Sequence, residues 1–377
     1  MIDLSLRIGV PVIALVGVTF WLLPVLAAVE LLAVLALLPL VVWLLSRLPE
    51  RVKLGLQPFF GVRYAAPVIF AVGLSLPFWA GDFELRFYSE MLILGLLAMS
   101  LDVMMGFVGL ASFAHAALAG VGAYGAAIML TKYGWSPWAA IGFAVFLGTA
   151  LTTCMGAFSV RVRDIYFGII TLVFGSVAFI VANSWVSMTN GEDGMTIDLP
   201  TLGFFGLFGV ETGEFSHFWY LTFGVVFASY LCLRAFLRSP VGLVFMGIRE
   251  NERRAAYLGY NVNAYKIFNT AVSGFFTSLA GVLVLLKNGI IGTEQMDVIH
   301  SGEIVIWSVV GGLGTLIGPF VGASFVHYLN DFLGEYTERA ILIIGLFFII
   351  TILMAPRGIV GSIIEVWRVQ PQAENEE

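Results

Sequence analysis

Charge is what this chain has least of. Asp, Glu, Lys and Arg make up 12% of its 377 residues, against 59% apolar ones, and the mean hydropathy is +0.96. So few polar groups cannot cover a water-soluble surface, which excludes a soluble domain, and a net charge of -6 offers nothing to nucleic acid. The only two cysteines, Cys154 and Cys232, sit inside apolar runs, so neither a disulfide framework nor a cysteine metal cluster is expected, and four scattered histidines add no ligand spacing. No lysine stands in a GxxxxGK[ST] setting to cradle phosphate, and HExxH, GxSxG and paired-aspartate motifs are missing as well. An intramembrane enzyme therefore has no support, no cofactor is expected in this chain, and any ATP must be hydrolysed on another polypeptide.

What fills the chain is long apolar runs. In hydrocarbon every backbone amide needs an internal partner, and these runs are continuous rather than alternating over ten residues, so the fold class is all-α. The sequence predicts a polytopic transmembrane helical protein of about 10–12 membrane segments with broken, glycine-rich helices. Candidate spans fall at 8–29, 31–45, 65–80, 90–111, 113–130, 138–158, 165–186, 218–237, 267–287, 303–316, 318–333 and 340–355. The first run is too long for a signal-peptide core and resumes at Leu31, so the N-terminus is expected to be retained.

The few charges are unevenly placed. Arg47, Arg51, Lys53 and Arg63 crowd loop 46–64, and Arg161 and Arg163 crowd loop 159–164. Loop 238–266 with its flank carries Arg234, Arg238, Arg249, Arg253, Arg254 and Lys266 against Glu250 and Glu252. By the positive-inside bias these three loops face the cytoplasm. Loop 187–217 has Glu192, Asp193, Asp198, Glu211 and Glu214 with no Lys or Arg, and belongs on the opposite side, where Phe204, Phe205 and Phe208 make it sticky.

The most unusual stretch is Ser239 to Val262, SPVGLVFMGIRENERRAAYLGYNV. It reads as a short helix with Ser239 as cap, Pro240 at the first position and Gly259 at the far end. Val241, Val244, Phe245 and Ile248 form a stripe at i, i+3, i+4 and i+7 that suits protein or membrane, while the charges after Ile248 face water. An ordinary basic juxtamembrane loop would show the same charge bias.

Two regions are interrupted by glycine, Gly106 to Gly125 and Gly311 to Gly322. Breaks at corresponding places in two halves of a transporter line a polar cargo's path, whereas glycine clusters also serve close helix packing.

Four motifs carry a family resemblance: Gly109 to Tyr124, GLASFAHAALAGVGAY; the Ser239 to Val262 stretch; Gly311 to Ala323, GGLGTLIGPFVGA; and Pro356 to Gly361, PRGIVG. From about Leu92 to Gly361 the chain resembles a bacterial branched-chain amino acid ABC transporter permease of the LivM type. The resemblance implies a second homologous permease subunit, two ATP-binding subunits that hold ATP and Mg, and a periplasmic substrate-binding protein, in the bacterial inner membrane. It divides the chain into an N-terminal extension with its basic loop at 1–64, the permease domain at 65–361 and an acidic tail at 362–377. It also makes the charged stretch a coupling segment, with Arg249, Glu250, Asn251, Glu252, Arg253 and Arg254 as the contacts to an ATPase. Against the family pattern stand Leu110 and Ala114 in the first motif, Asn190 in place of a glycine within Thr189, Asn190 and Gly191, and Asp102 in place of an asparagine. These leave the cargo open among branched-chain amino acids, urea, short amides and small aromatic acids.

Four residues are candidates for the cargo path. Asp102, mid-span, either holds the positive end of a cargo or is a neutral or paired packing residue. His115, with Ser112 before it, either donates to a carboxylate or makes an interhelical hydrogen bond, and Thr315 offers a hydroxyl at the second break. Lys287, Glu303, His327 and Asp331 lie near span ends and are expected to snorkel, with no transport role. Glu192, Asp193 and Asp198 are expected to form a docking surface for the binding protein. An ion-coupled secondary transporter would also suit Asp102 and the glycine breaks, but would have no use for a coupling segment.

Overall fold

The computed structural model describes residues 73–162, 165–204, 208–336, 339–355 and 357–366. The spans expected at 8–29 and 31–45, loop 46–64, Arg163, Phe205 and the tail from residue 367 lie outside them. Helices dominate: α1 Asp82–Met105, α2 His115–Thr131, α3 Pro137–Ser159, α4 Ile165–Ser184, α5 Phe215–Leu237, α6 Pro240–Glu250, α7 Glu252–Tyr257, α8 Val262–Asn288, α9 Val298–Gly311, α10 Ile317–Tyr336, α11 Ala340–Met354 and α12 Gly358–Val366. Six helical stretches among the described residues are long and apolar enough to cross a membrane, and α2 and α9 are shorter apolar helices.

The centre is α8, which packs on α1, α2 and α3. Without a hydrophobic force between helices in lipid, small residues and hydrogen bonds must hold such seams. Thr270, Gly274 and Ser278, one turn apart on α8, face Gly156, Thr152 and Gly148, one turn apart on α3 and running the other way. Each glycine meets the hydroxyl residue opposite, so the backbones approach closely. Toward α1, Asn269 Nδ2 donates to Val103 O at 2.9 Å and Ser273 Oγ donates to Ser100 O at 2.6 Å. A side chain at 274 would put its Cβ 2.5 Å from Thr152 Cβ. Gly274→Leu is therefore expected to destabilise the bundle by at least about 1–3 kcal/mol, read as a lower unfolding temperature in detergent; an unchanged midpoint would refute this seam.

The outer faces of α3 and α4 expose Phe146, Phe158, Ile169, Val173 and Ile180, as lipid-facing helices should. Helix α5, with 23 residues, covers about 34 Å and separates two ends of the molecule. One end carries α6, α7 and the arginines around them; the other carries the acidic loop.

The acidic loop carries the short strands of this helical fold. It holds three, β1 Met195–Thr196, β2 Thr201–Phe204 and β3 Phe208–Glu211, and a fourth, β4 Ile290–Ile291, follows α8. β2 and β3 make a hairpin, and β1 pairs antiparallel with β4, tying the loop to the end of α8. Asn190 has φ 63°, the left-handed region that glycine or asparagine enters most readily, so an asparagine suits this position. Glu192, Asp193 and Asp198 are all exposed on this end.

Candidate functional site

The charged stretch forms two helices rather than one. Pro240 stands at the first position of α6 as expected, but Ser239 Oγ donates back to Phe236 O at 2.6 Å instead of capping. Asn251 then turns extended, at φ −159° and ψ 100°, and its side chain accepts from Arg254 N at 2.9 Å, so it ends α6 and starts α7. An asparagine does this because its short carbonyl reaches the orphan amides of the next helix. Asn251 is thus a cap, and Glu252 accepts from the buried Lys266 at 2.7 Å, fixing α7 to the root of α8. Glu250, Arg253 and Arg254 are exposed.

The apolar stripe lies on protein. Phe245 and Ile248 are buried against Met104, Val108 and Leu110 at the end of α1, with Val241 and Val244 packed alongside. From the same face Arg249 Nη1 donates to the carbonyl of Gly106, just beyond α1. A Cβ on Gly314 would lie 2.9 Å from that Nη1, so the guanidinium also touches the second break.

Asp102 explains why the two breaks meet there. Its Oδ1 accepts from Gly314 N at 2.7 Å and its Oδ2 from Leu316 N at 2.9 Å, across more than two hundred residues. Leu316 has φ 62°, a region costly for a leucine, and the carboxylate holds it there. Gly106 has no room for a side chain, since a Cβ would overlap the Asp102 carboxylate. Thr315 completes the turn: its Oγ1 donates to Gly312 O and accepts from Gly318 N, both at 2.8 Å. The closing motif also arrives here, because a Cβ on Gly312 would stand 2.8 Å from Arg357 O and 2.9 Å from Gly361 N.

Between α1 and α2 the chain leaves the helix, with a turn at 106–108 and irregular backbone over 109–114, which shortens both predicted spans. It rests on a track on α4: Gly168 approaches Ala111 O, Thr171 Oγ1 accepts from Phe113 N at 3.1 Å, and Gly175 approaches Ala114 Cα. That track climbs α4 by two turns, roughly 10 Å, so α2 begins inside the bilayer. Its first turn is met by Ser301 of α9, whose Oγ accepts from Ala116 N at 3.2 Å. His115 is fully buried; its Nε2 stands 3.0 Å from Ser273 Oγ and its Nδ1 3.2 Å from Ser112 Oγ. Because the Ser273 hydroxyl proton goes to Ser100 O, Nε2–H donates to Ser273 and Nδ1 accepts from Ser112.

Asp102, Ser112, His115 and Thr315 thus frame the two breaks through internal hydrogen bonds, the packing alternative stated for Asp102 and His115. None of them borders the central cavity. That cavity, about 480 Å³, lies between α1, α2, α8, α9, α10 and α11. The snorkelling expected of Lys287 and His327 is corrected as well: both side chains turn inward and line it, because Lys287 pairs there with Glu90. A single sequence does not announce that pair, whose members lie on different helices.

Breaks braced around a central cavity, with an amphipathic element fastened beneath them, define a multi-pass membrane transport protein. The family described as "Branched-chain amino acid transport system / permease component" matches residues 85–355, and the chain belongs to it. It is an ABC transporter permease. It is 24% identical to the high-affinity branched-chain amino acid transport system permease protein LivM of Escherichia coli (strain K12), over 85% of this chain and 83% of that protein. The LivM of Salmonella typhimurium is also 24% identical, over 77% of this chain and 73% of its own length. The ribose import permease protein RbsC of Escherichia coli (strain K12) is 27% identical over 51% of this chain and 60% of its own, so similarity extends across cargo classes.

Proposed function

We propose that the chain is a membrane-spanning subunit of an ATP-driven importer in the bacterial inner membrane, carrying branched-chain or related small amino acids delivered by a periplasmic binding protein. It pairs with a second homologous permease and rests on two ATP-binding subunits, which hold ATP and Mg. The observation that carries this reading is the α6–α7 element: Phe245, Ile248 and Arg249 fasten it to both breaks. Its other face exposes Leu243, Tyr257 and Leu258 beside Glu250, Arg253 and Arg254. An apolar and charged exposed face of this kind fits a soluble partner better than water alone. An ion-coupled carrier complete in one chain has no use for it.

Cargo moves by alternating access with no covalent step. Closure of the ATPase pair shifts α6 and α7; Arg249 passes that shift to Gly106 and the end of α1, and Asp102 passes it to the hinge between α9 and α10. Those two helices supply Ile304, Trp307 and His327 to the cavity wall, so a movement at the basic end opens or closes the cavity at the other. The exposed Glu192, Asp193 and Asp198 form part of the surface on which the binding protein docks.

The test is uptake into proteoliposomes holding the permease pair, with and without the two ATP-binding subunits. Leucine uptake that needs ATP and the binding protein is expected. Uptake by this chain alone, or of urea or ribose in place of any amino acid, would overturn the reading. Reversal of Glu192, Asp193 and Asp198 to lysine together is expected to raise the concentration of binding protein needed for half-maximal uptake about tenfold or more, while basal ATP hydrolysis stays unchanged.

A further inference from the structure

The central cavity holds a charge arrangement that the coupling route does not use. It lies away from α6 and α7, since it is lined by Glu90 to Leu97 in the middle of α1 and by Gly281 to Asn288 at the far end of α8. Its size falls within the range of about 300–1,000 Å³ usual for small-molecule sites. Much of the wall is aliphatic, with Ile93, Leu97, Ile304 and Ile344. Charged groups stand among them: the Lys287 ammonium pairs with the Glu90 carboxylate of the facing helix, their side chains 7% and 35% exposed, while the Glu303 carboxylate has its own partner in His300 Nδ1 at 3.0 Å. His327 Nε2 stands 3.8 Å from the same carboxylate, and Asn330 lies one turn further along α10.

A partly buried ion pair contributes little to stability, because the desolvation of its charges offsets much of their attraction, and apolar replacements of similar volume at buried pairs are often neutral. Ionisable groups within a membrane bundle more often serve transport. A free α-amino acid carries an ammonium and a carboxylate on one carbon, and a site for it needs both signs within a few ångströms of each other. A Glu–Lys pair meets that need without leaving an uncompensated charge: empty, the two neutralise each other; loaded, each takes the opposite end of the zwitterion. The aliphatic wall then takes an apolar side chain.

We propose that Glu90 and Lys287 form a zwitterion-binding site for free apolar amino acids in transit, Lys287 taking the carboxylate and Glu90 the ammonium. This rests on the reading of the chain as an amino acid importer. It makes the permease itself selective against neutral cargo, beyond whatever selection the binding protein exercises.

The experiment compares wild type, Glu90→Gln, Lys287→Met, the double variant Glu90→Leu with Lys287→Met, and the reversed pair Glu90→Lys with Lys287→Glu, each in the complete complex in proteoliposomes. Assembly, basal ATP hydrolysis and uptake of radiolabelled leucine are measured. The double variant is expected to assemble and hydrolyse ATP at the wild-type basal rate while leucine uptake falls at least tenfold; each single variant raises the KM for uptake, and the reversed pair recovers part of the transport. A double variant with leucine uptake within twofold of wild type overturns the site and leaves the importer reading standing. A wild type that carries ribose or urea and no amino acid overturns both. Loss of assembly in the double variant would mark the pair as structural and also overturn the proposal.

Discussion

Arg249→Ala should lower ATP-driven uptake about ten- to a hundredfold while the complex still assembles and still hydrolyses ATP. The size follows from the bond that is lost: a guanidinium donating to a backbone carbonyl contributes roughly 1.5–3 kcal/mol, and each 1.4 kcal/mol is a factor of ten. Arg249 is the only described side chain of α6 or α7 shown bonded to the Gly106 carbonyl, where α1 ends beside the Gly314 turn. Phe245 and Ile248 would still pack against Met104 and Val108, so the element would stay seated but would pull on nothing polar. Arg249→Lys should recover part of the transport, because an ammonium keeps one donor but loses the planar fork that spans Gly106 and Gly314. A hydrolysis rate that falls in parallel with uptake would show that Arg249 serves seating rather than transmission.

Asp102→Ala should be the most destabilising single change in the core, and Asp102→Asn should fall between it and wild type. Alanine leaves the amides of Gly314 and Leu316 buried without an acceptor, at about 1–3 kcal/mol each, and removes what holds Leu316 in its left-handed conformation. Asparagine keeps one oxygen for one amide but turns its own NH2 toward the other. Thermal unfolding in detergent should rank wild type above Asn and Asn above Ala. The KM for leucine should stay within about twofold in the Asn variant, because Asp102 faces the hinge and not the cavity. A KM raised tenfold with stability unchanged would return Asp102 to the cargo path.

How these residues divide their work was only partly legible in the sequence. The stripe Val241, Val244, Phe245 and Ile248 announced a buried face because its partner positions recur within two turns, and Pro240 marked the helix start by its own ring. The glycine clusters marked both breaks. What lay beyond reach was pairing across distance. Asp102 looked like a lone carboxylate because its two donors are backbone amides of another segment, and backbone carries no residue-type signature. Lys287 looked like a snorkelling side chain because position near a span end says nothing about which way a side chain points. The Gly168, Thr171 and Gly175 track has helical spacing, at i, i+3 and i+7, but nothing in the pattern says that an irregular segment of the same chain lies on it. The acidic loop gave its charge but not its strands, whose partner, β4, comes almost a hundred residues later. Asn251 carries a usable signal of its own, because asparagine is a favoured helix cap; its side chain accepts from the Arg254 amide and splits the coupling element in two.

Transmission through Arg249 and Asp102 is tested most directly by amide hydrogen exchange over residues 312–316 in the assembled complex, with and without ATP. Gly314 and Leu316 should be protected in the nucleotide-free wild type, exchange faster when ATP closes the partner subunits, and lose that response in Arg249→Ala. Exchange that is the same in both nucleotide states of the wild type, while uptake proceeds, would contradict the account.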